Sequence, residues 1–193
     1  PCSFREFLFA TDNSQLIEML EKEDVPVFLH SQLLSWFKKY ATIGGMPEVV
    51  NLYAQKNDIT SLDTVYSSLI QSYSDDIDKY VTSSAQVQYV QHVIANVFKE
   101  GGTKVTFGKF GNSDYRSREM REAFRMVEKA MLIKLIYPCT SAKMPIKQHL
   151  GRKPRLHVVD TGLINHSLKI MGELVFNEDI RETHQGIIPD PLV

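Results

Sequence analysis

Residues 113–137, "SDYRSREMREAFRMVEKAMLIKLIY", decide how this chain is read. At 100° per residue, Met120, Ala123, Phe124, Val127 and Met131 fall on one side of a helix. Arg118, Arg121, Arg125 and Lys129 fall opposite, within about 80° of one another. The spacing predicts an amphipathic helix over 118–131, with Ser117 as its N-cap. "IKLIYP" then alternates and is rich in β-branched residues, which predicts a strand.

Reading outward, "AQVQYVQHVIANVFKE" (85–100) is helical, with Val87, Val90, Ile94 and Val97 inward, and Gly101-Gly102 stops it. "KVTFGKFG" is a short extended or turn segment. Beyond the first strand, "CTSAKMPIKQHLGRK" is a loop carrying four cations, and "PRLHVVD" is a second strand. Helix, turn, helix and a hairpin with a basic loop is the order of a winged helix-turn-helix.

The first 80 or so residues lack strand patterns. Ser3 and Glu6 have the spacing of a capping box, and Asp12-Asn13-Ser14 reads as a restart before a second helical piece. After Pro26, residues 30–43 form a helix with Leu33, Leu34, Phe37 and Tyr40 apolar. "GGMPE" (44–48) ends it: Gly44 suits a C-terminal cap and Pro47 the first turn of the next helix. A further long helix repeats Leu62, Val65, Leu69, Tyr73 and Ile77. The fold class expected is mainly α, a helical bundle over 1–82 followed by a winged-helix domain with a small β-hairpin over 83–163. Residues 164–193, short apolar pieces and turns, form a tail leading towards a further domain. The opening "PCSFREFLF" reads as the interior of a longer protein.

Charge is uneven. Residues 1–100 hold 7 Lys/Arg against 13 Asp/Glu, whereas residues 101–160 hold 13 against 5. A basic middle segment in a chain of net charge −1 points to an anionic partner for that segment. Arginine suits the exposed helix face because its planar fork pairs with phosphate or guanine edges. Arg116, Lys109, Lys143, Lys147, Arg152, Lys153 and Arg155 are candidate phosphate contacts from the lead-in and the wing. Two readings compete with double-stranded DNA. Glu119, Glu122 and Glu128 offer pairs such as Arg118–Glu122, which would make the stripe a solvated face. The face equally suits a protein partner, including a second copy of the chain.

The remaining motifs imply no catalysis. Cys2 and Cys139 sit in no metal or redox spacing, the histidines are scattered, and lone thiols suit a reducing cytoplasm. Asp160 in "HVVDTGLI" reads as a cap for the next helix rather than a metal ligand. Asp75, Asp76 and Asp78 read as a solvated acidic edge rather than a Mg²⁺ site. No Walker A or GxSxG motif is present, and no run is apolar enough to span a membrane. "GGMPE" itself reads first as a helix–helix corner; a flat base packed on Pro47 is the functional alternative.

Several stretches resemble one family in order and spacing. "PCSFREFL", "TIGGMPEVVNLY", "IQSYSDDIDKY", "SREMREAFRMVEKAMLI", "KPRLHVVDTGLI" and "HQGIIPDPLV" resemble the region that follows the nucleotide-binding core in bacterial and archaeal AAA+-type P-loop ATPases. The resemblance covers nearly the whole chain. It implies a helical lid-like domain and a winged helix, a domain of unknown function, preceded by an N-terminal P-loop ATPase domain and often followed by a nuclease-like one. ATP and Mg²⁺ are then cofactors of the full-length parent, not of this chain. By the same likeness Gly44, Gly45 and Pro47 would contact the nucleotide base. Asp190 stands where that family usually has Glu, between Pro189 and Pro191, so the entry to the nuclease-like domain departs from the pattern.

Overall fold

The computed structural model describes residues 1–21, 26–76, 81, 83–140 and 144–176. The protein is mainly helical, with one small antiparallel sheet. Its helices are α1 (Phe4–Ala10), α2 (Ser14–Glu21), α3 (Val27–Ile43), α4 (Pro47–Lys56), α5 (Asp63–Asp76), α6 (Ser84–Val97), α7 (Ser117–Lys129), α8 (Thr161–Leu168) and α9 (Met171–Phe176). The strands are β1 (Ile133–Ile136) and β2 (Arg155–Val158). Among the described residues no helix is long and apolar enough to cross a membrane.

The chain divides into two compact units, one of residues 1–69 with the segment from Asp160, the other of residues 70–159 among those described. The second unit is thus inserted within the chain of the first. Thr161–Leu168, expected as the end of the second domain and the start of a tail, instead forms a helix packed on α3.

In the first unit the local signals act as written. The Ser3 side chain accepts from the Glu6 N–H at 3.3 Å, and Glu6 accepts from the Ser3 N–H at 2.7 Å, closing the capping box. Leu8, Leu16, Ile17 and Leu33 form a buried cluster with Phe4 and Trp36 against it. Two expected core positions differ. Leu34 is 66% exposed, because its neighbour Leu33 takes the inward position of α3. On α5 the fully buried residue is Tyr66, one position beyond the expected Val65.

The C-terminal end of α3 shows why. A helix leaves its last four carbonyls without intrahelical partners. Here Gly44 N–H donates to the Tyr40 carbonyl, Asn165 Nδ2 donates to those of Ala41 (3.0 Å) and Thr42 (2.9 Å), and the Tyr66 hydroxyl donates to that of Ile43. All four are satisfied, three of them by side chains from α5 and α8.

In the second unit α7 buries Met120, Ala123, Phe124 and Val127. Phe124 meets the rings of Phe107 and Phe110 edge-on at 5.3 and 4.8 Å, and fully burying such a ring contributes about 1.5–3 kcal/mol. The helix starts one residue earlier than expected, with Arg116 as N-cap and Ser117 as first helical residue; the Arg116 N–H donates to Glu119 Oε2 at 2.7 Å. It ends at Lys129. Met131, expected on the apolar stripe, has φ +60° and is 78% exposed, since the chain turns there into β1. β1 and β2 pair antiparallel with Ile136 opposite Arg155 and Leu135 opposite Leu156. The segment expected as extended lies along the other edge of β2: Gly102 N–H donates to Leu156 O (2.7 Å), Leu156 N–H to Thr103 O (2.9 Å) and Val105 N–H to Pro154 O (3.0 Å).

Candidate functional site

Two places collect the residues singled out from sequence, one in each unit. In the first unit they form the Gly44–Gly45 corner. Gly44 has φ 77° and ψ −170°, a backbone region essentially closed to other residues. A side chain on Gly44 would collide with the Asp160 carboxylate, and one on Gly45 with the Cys2 backbone carbonyl. Asp160 is the N-cap of α8: Oδ1 accepts from the Leu163 N–H at 3.2 Å, while Oδ2 reaches across to accept from the Gly45 N–H at 2.6 Å. The motifs "GGMPE" and "HVVDTGLI", separate in sequence, are therefore one structure. Asp160 is the expected cap, but its second bond, to Gly45, carries no local sequence signal.

The corner is electrostatically closed. Burial pushes the Asp160 carboxyl above the usual aspartate range, and the N–H groups of Gly45, Leu163 and Gly162 offset this only in part. Tyr66 is driven up by burial and secondarily by Asp160. His166 stacks on Tyr66 at 5.1 Å between ring centres, and its Nδ1 lies 3.1 Å from Asp63 Oδ1. Burial lowers the His166 pKa, and Asp63, whose own side chain is 78% exposed, pulls the other way. Of the three residues implied to contact a nucleotide base, Gly44 and Gly45 are buried by the chain's own atoms. Pro47 alone, at the first turn of α4, is exposed. The two glycines shape the corner behind it.

In the second unit the basic residues divide between two concavities. Arg118, Arg121 and Arg125 line the first, about 380 Å³, with Ser117 and Glu122. Among the described residues the pairs that a solvated face would use, such as Arg118–Glu122, do not form. Glu128 turns to β1, where it accepts from the Leu135 N–H (3.1 Å) and pairs with Lys134 (3.0 Å). Glu119 caps the helix. Among the described residues no ion pair to a carboxylate reaches Arg118, Arg121, Arg125 or Lys129. The Arg121 guanidinium lies 5.3 Å from the centre of the Phe107 ring, which helps to hold it in place.

The second concavity, about 580 Å³, takes Arg152 and Lys153 from the β1–β2 loop, Arg155 from β2, and Lys104, which the sequence reading did not single out. Tyr137, Pro138 and Ile136 supply its apolar surface. Lys104 and Ile136 both sit directly opposite Arg155 across the sheet, so the three side chains share one face. Only strand pairing makes that row. Arg116, Lys129 and Lys147 are exposed but line neither concavity, and Lys143 and Asp78 lie outside the described residues. Asp75, from the expected acidic edge, accepts from Gln71 Nε2 at 2.7 Å.

No curated protein and no solved structure matches the chain significantly. A family model does, over residues 34–174, and its description is "Domain of unknown function (DUF8612)". That match begins within α3, ends within α9 and takes in the Gly44–Gly45 corner, Asp160, α7 and both concavities, so the chain belongs to the DUF8612 family.

Proposed function

We propose that this chain is a non-catalytic, C-terminal part of an AAA+-type ATPase, and that its second unit is a winged helix that holds double-stranded DNA on α7. The single observation that carries the DNA contact is the cationic face of α7. Arg118, Arg121 and Arg125 line one concavity, are exposed, and lack carboxylate partners among the described residues. Of the three carboxylates that would neutralise a solvated face, Glu128 is spent on β1 and Glu119 on the helix cap, and Glu122 lines the same concavity without an ion pair to the arginines among the described residues. The AAA+ parentage rests on the motif resemblance alone. In that reading the first unit is the lid, with Pro47 at the exposed side of the corner facing a nucleotide held by the P-loop domain. ATP and Mg²⁺ belong to that domain.

Fluorescence anisotropy with a labelled duplex, at several salt concentrations, tests the DNA contact. Each neutralised phosphate contributes about −0.9 to the slope of log K against log salt. The variant Arg118→Ala/Arg121→Ala/Arg125→Ala should flatten the slope by about 2.7 if each arginine takes one phosphate. Equal slopes in the two proteins, or no duplex binding at low salt, would overturn the DNA reading. A protein partner is the second reading. Met144, Ile146 and Leu150, exposed at 83, 58 and 65% on the β1–β2 loop, favour it, and sedimentation of the chain at rising concentration tests for a second copy.

A further inference from the structure

We propose that the concavity beside Tyr137 takes unpaired nucleic acid, with a base stacked on the Tyr137 ring and its phosphates on Lys104, Arg152, Lys153 and Arg155. The inference rests on the reading that the second unit contacts DNA, and adds to it which form of DNA is preferred: a duplex that opens into a single strand.

The two concavities of this unit differ in kind. The one on α7 is lined by arginines, Ser117 and Glu122, with no aromatic side chain. It suits the phosphates of a closed duplex, whose base faces are hidden by stacking. The one on the sheet combines four cations, no carboxylate, and an apolar wall of Tyr137, Pro138 and Ile136. Cations beside an aromatic ring are the elements of single-strand binding, where the groove tracks the backbone and bases stack on aromatic side chains. An acidic peptide or free phosphate would engage the cations and leave the Tyr137 ring without a partner.

Placement supports one continuous ligand. Leu135 and Leu156 point to the buried face of the sheet, so Lys104, Arg155 and Ile136 stand on the outer one. Lys134, two residues before Ile136 on β1, shares that outer face and pairs with Glu128 of α7. The sheet face and α7 are thereby joined side by side within the unit. Arg155 is fixed by donation from its guanidinium to the Gly102 carbonyl at 3.3 Å, so part of the cationic wall is already ordered.

The test uses the full chain and three labelled DNAs of one sequence: a blunt duplex, the same duplex with a short single-stranded overhang, and the single strand alone. Anisotropy should show the overhang duplex bound about tenfold more tightly than the blunt one, the scale of one base–aromatic stack. Tyr137→Ala should remove that gain while leaving blunt-duplex affinity unchanged, and Tyr137→Phe should keep it. Arg152→Ala/Lys153→Ala, which alters exposed side chains only, should lower the salt slope for the overhang duplex by more than for the blunt one. Circular dichroism melts check that each variant is folded. If blunt duplex binds and the overhang adds nothing, or if the gain survives Tyr137→Ala, the single-strand inference falls and the DNA reading stands. If no DNA binds, both fall. A labelled acidic peptide that binds where no DNA does would reassign the concavity to a protein partner.

Discussion

The contact between Asp160 and the Gly44–Gly45 corner yields a double-mutant cycle. Asp160→Ala removes the α8 cap, worth about 1 kcal/mol, and leaves the buried Gly45 N–H without an acceptor, worth about 1–3 kcal/mol. The first unit should therefore lose about 2–4 kcal/mol. Gly44→Ala places a methyl group in a backbone region that costs about 1–3 kcal/mol and drives it into the Asp160 carboxylate. The collision exists only while Asp160 is there. In the Asp160→Ala background the same glycine substitution should lose the collision and keep the strain. The two changes should then couple by about 1–2 kcal/mol, the double variant being more stable than the sum of single losses allows. Asp160→Asn keeps one acceptor oxygen of two and should fall between wild type and Asp160→Ala. Urea unfolding of the four proteins of the cycle at one pH, with equal m values, measures this. Strict additivity would refute the claim that Asp160 fills the space beside Gly44. A loss below about 1 kcal/mol in Asp160→Ala would refute the claim that its two bonds hold the corner.

The other predictions concern the same unit. His166, lowered by burial, stays neutral in the folded chain at pH values where the unfolded chain binds a proton, so stability falls as pH drops from the ordinary histidine value to the lowered one. His166→Gln should lose that slope, measured as urea midpoint against pH. Asp160, raised by burial, has the opposite sign: the folded chain holds a proton the unfolded chain has released, and stability falls as pH climbs from the ordinary aspartate value to the raised one. Asp160→Asn should remove that limb of the same curve. Asn165→Ala strips the donor from the Ala41 and Thr42 carbonyls, one or both left buried without a partner, and should cost about 1–3 kcal/mol in urea unfolding.

What could be read from the sequence was local. Ser3 with Glu6, Gly44 with Pro47, and the start of α7 with its apolar face from Met120 to Val127 are signals carried within a few residues, and each lies at or within one residue of its expected place. What escaped was set by pairing across the chain. Asn165 has the look of a surface residue on a short helix, yet it is fully buried because two carbonyls at the end of α3 need its Nδ2. Tyr66 and Val65 both satisfy an apolar pattern; the Ile43 carbonyl selects the one with a hydroxyl. Lys104 gains its place beside Arg155 and Ile136 only through strand register. Glu128 sits at the right spacing to neutralise α7, and β1 takes it instead.

These long-range bonds also bear on which piece of chain can stand alone. Residues 40–45 present carbonyls and an N–H that need partners, and those partners are Tyr66, Asp160 and Asn165. A fragment ended at residue 82 would keep Tyr66 and lose the other two, leaving Ala41, Thr42 and Gly45 with unmet backbone groups beneath apolar surface. Residues 83–163 would carry Asp160 away with the second unit, where Gly45 is absent. The family match over 34–174 keeps both halves of the corner together with everything inserted between them. For that reason the tests of α7 and of the Tyr137 concavity belong on the intact chain: a fragment that failed to bind would report a corner without its partners as readily as a surface without a ligand.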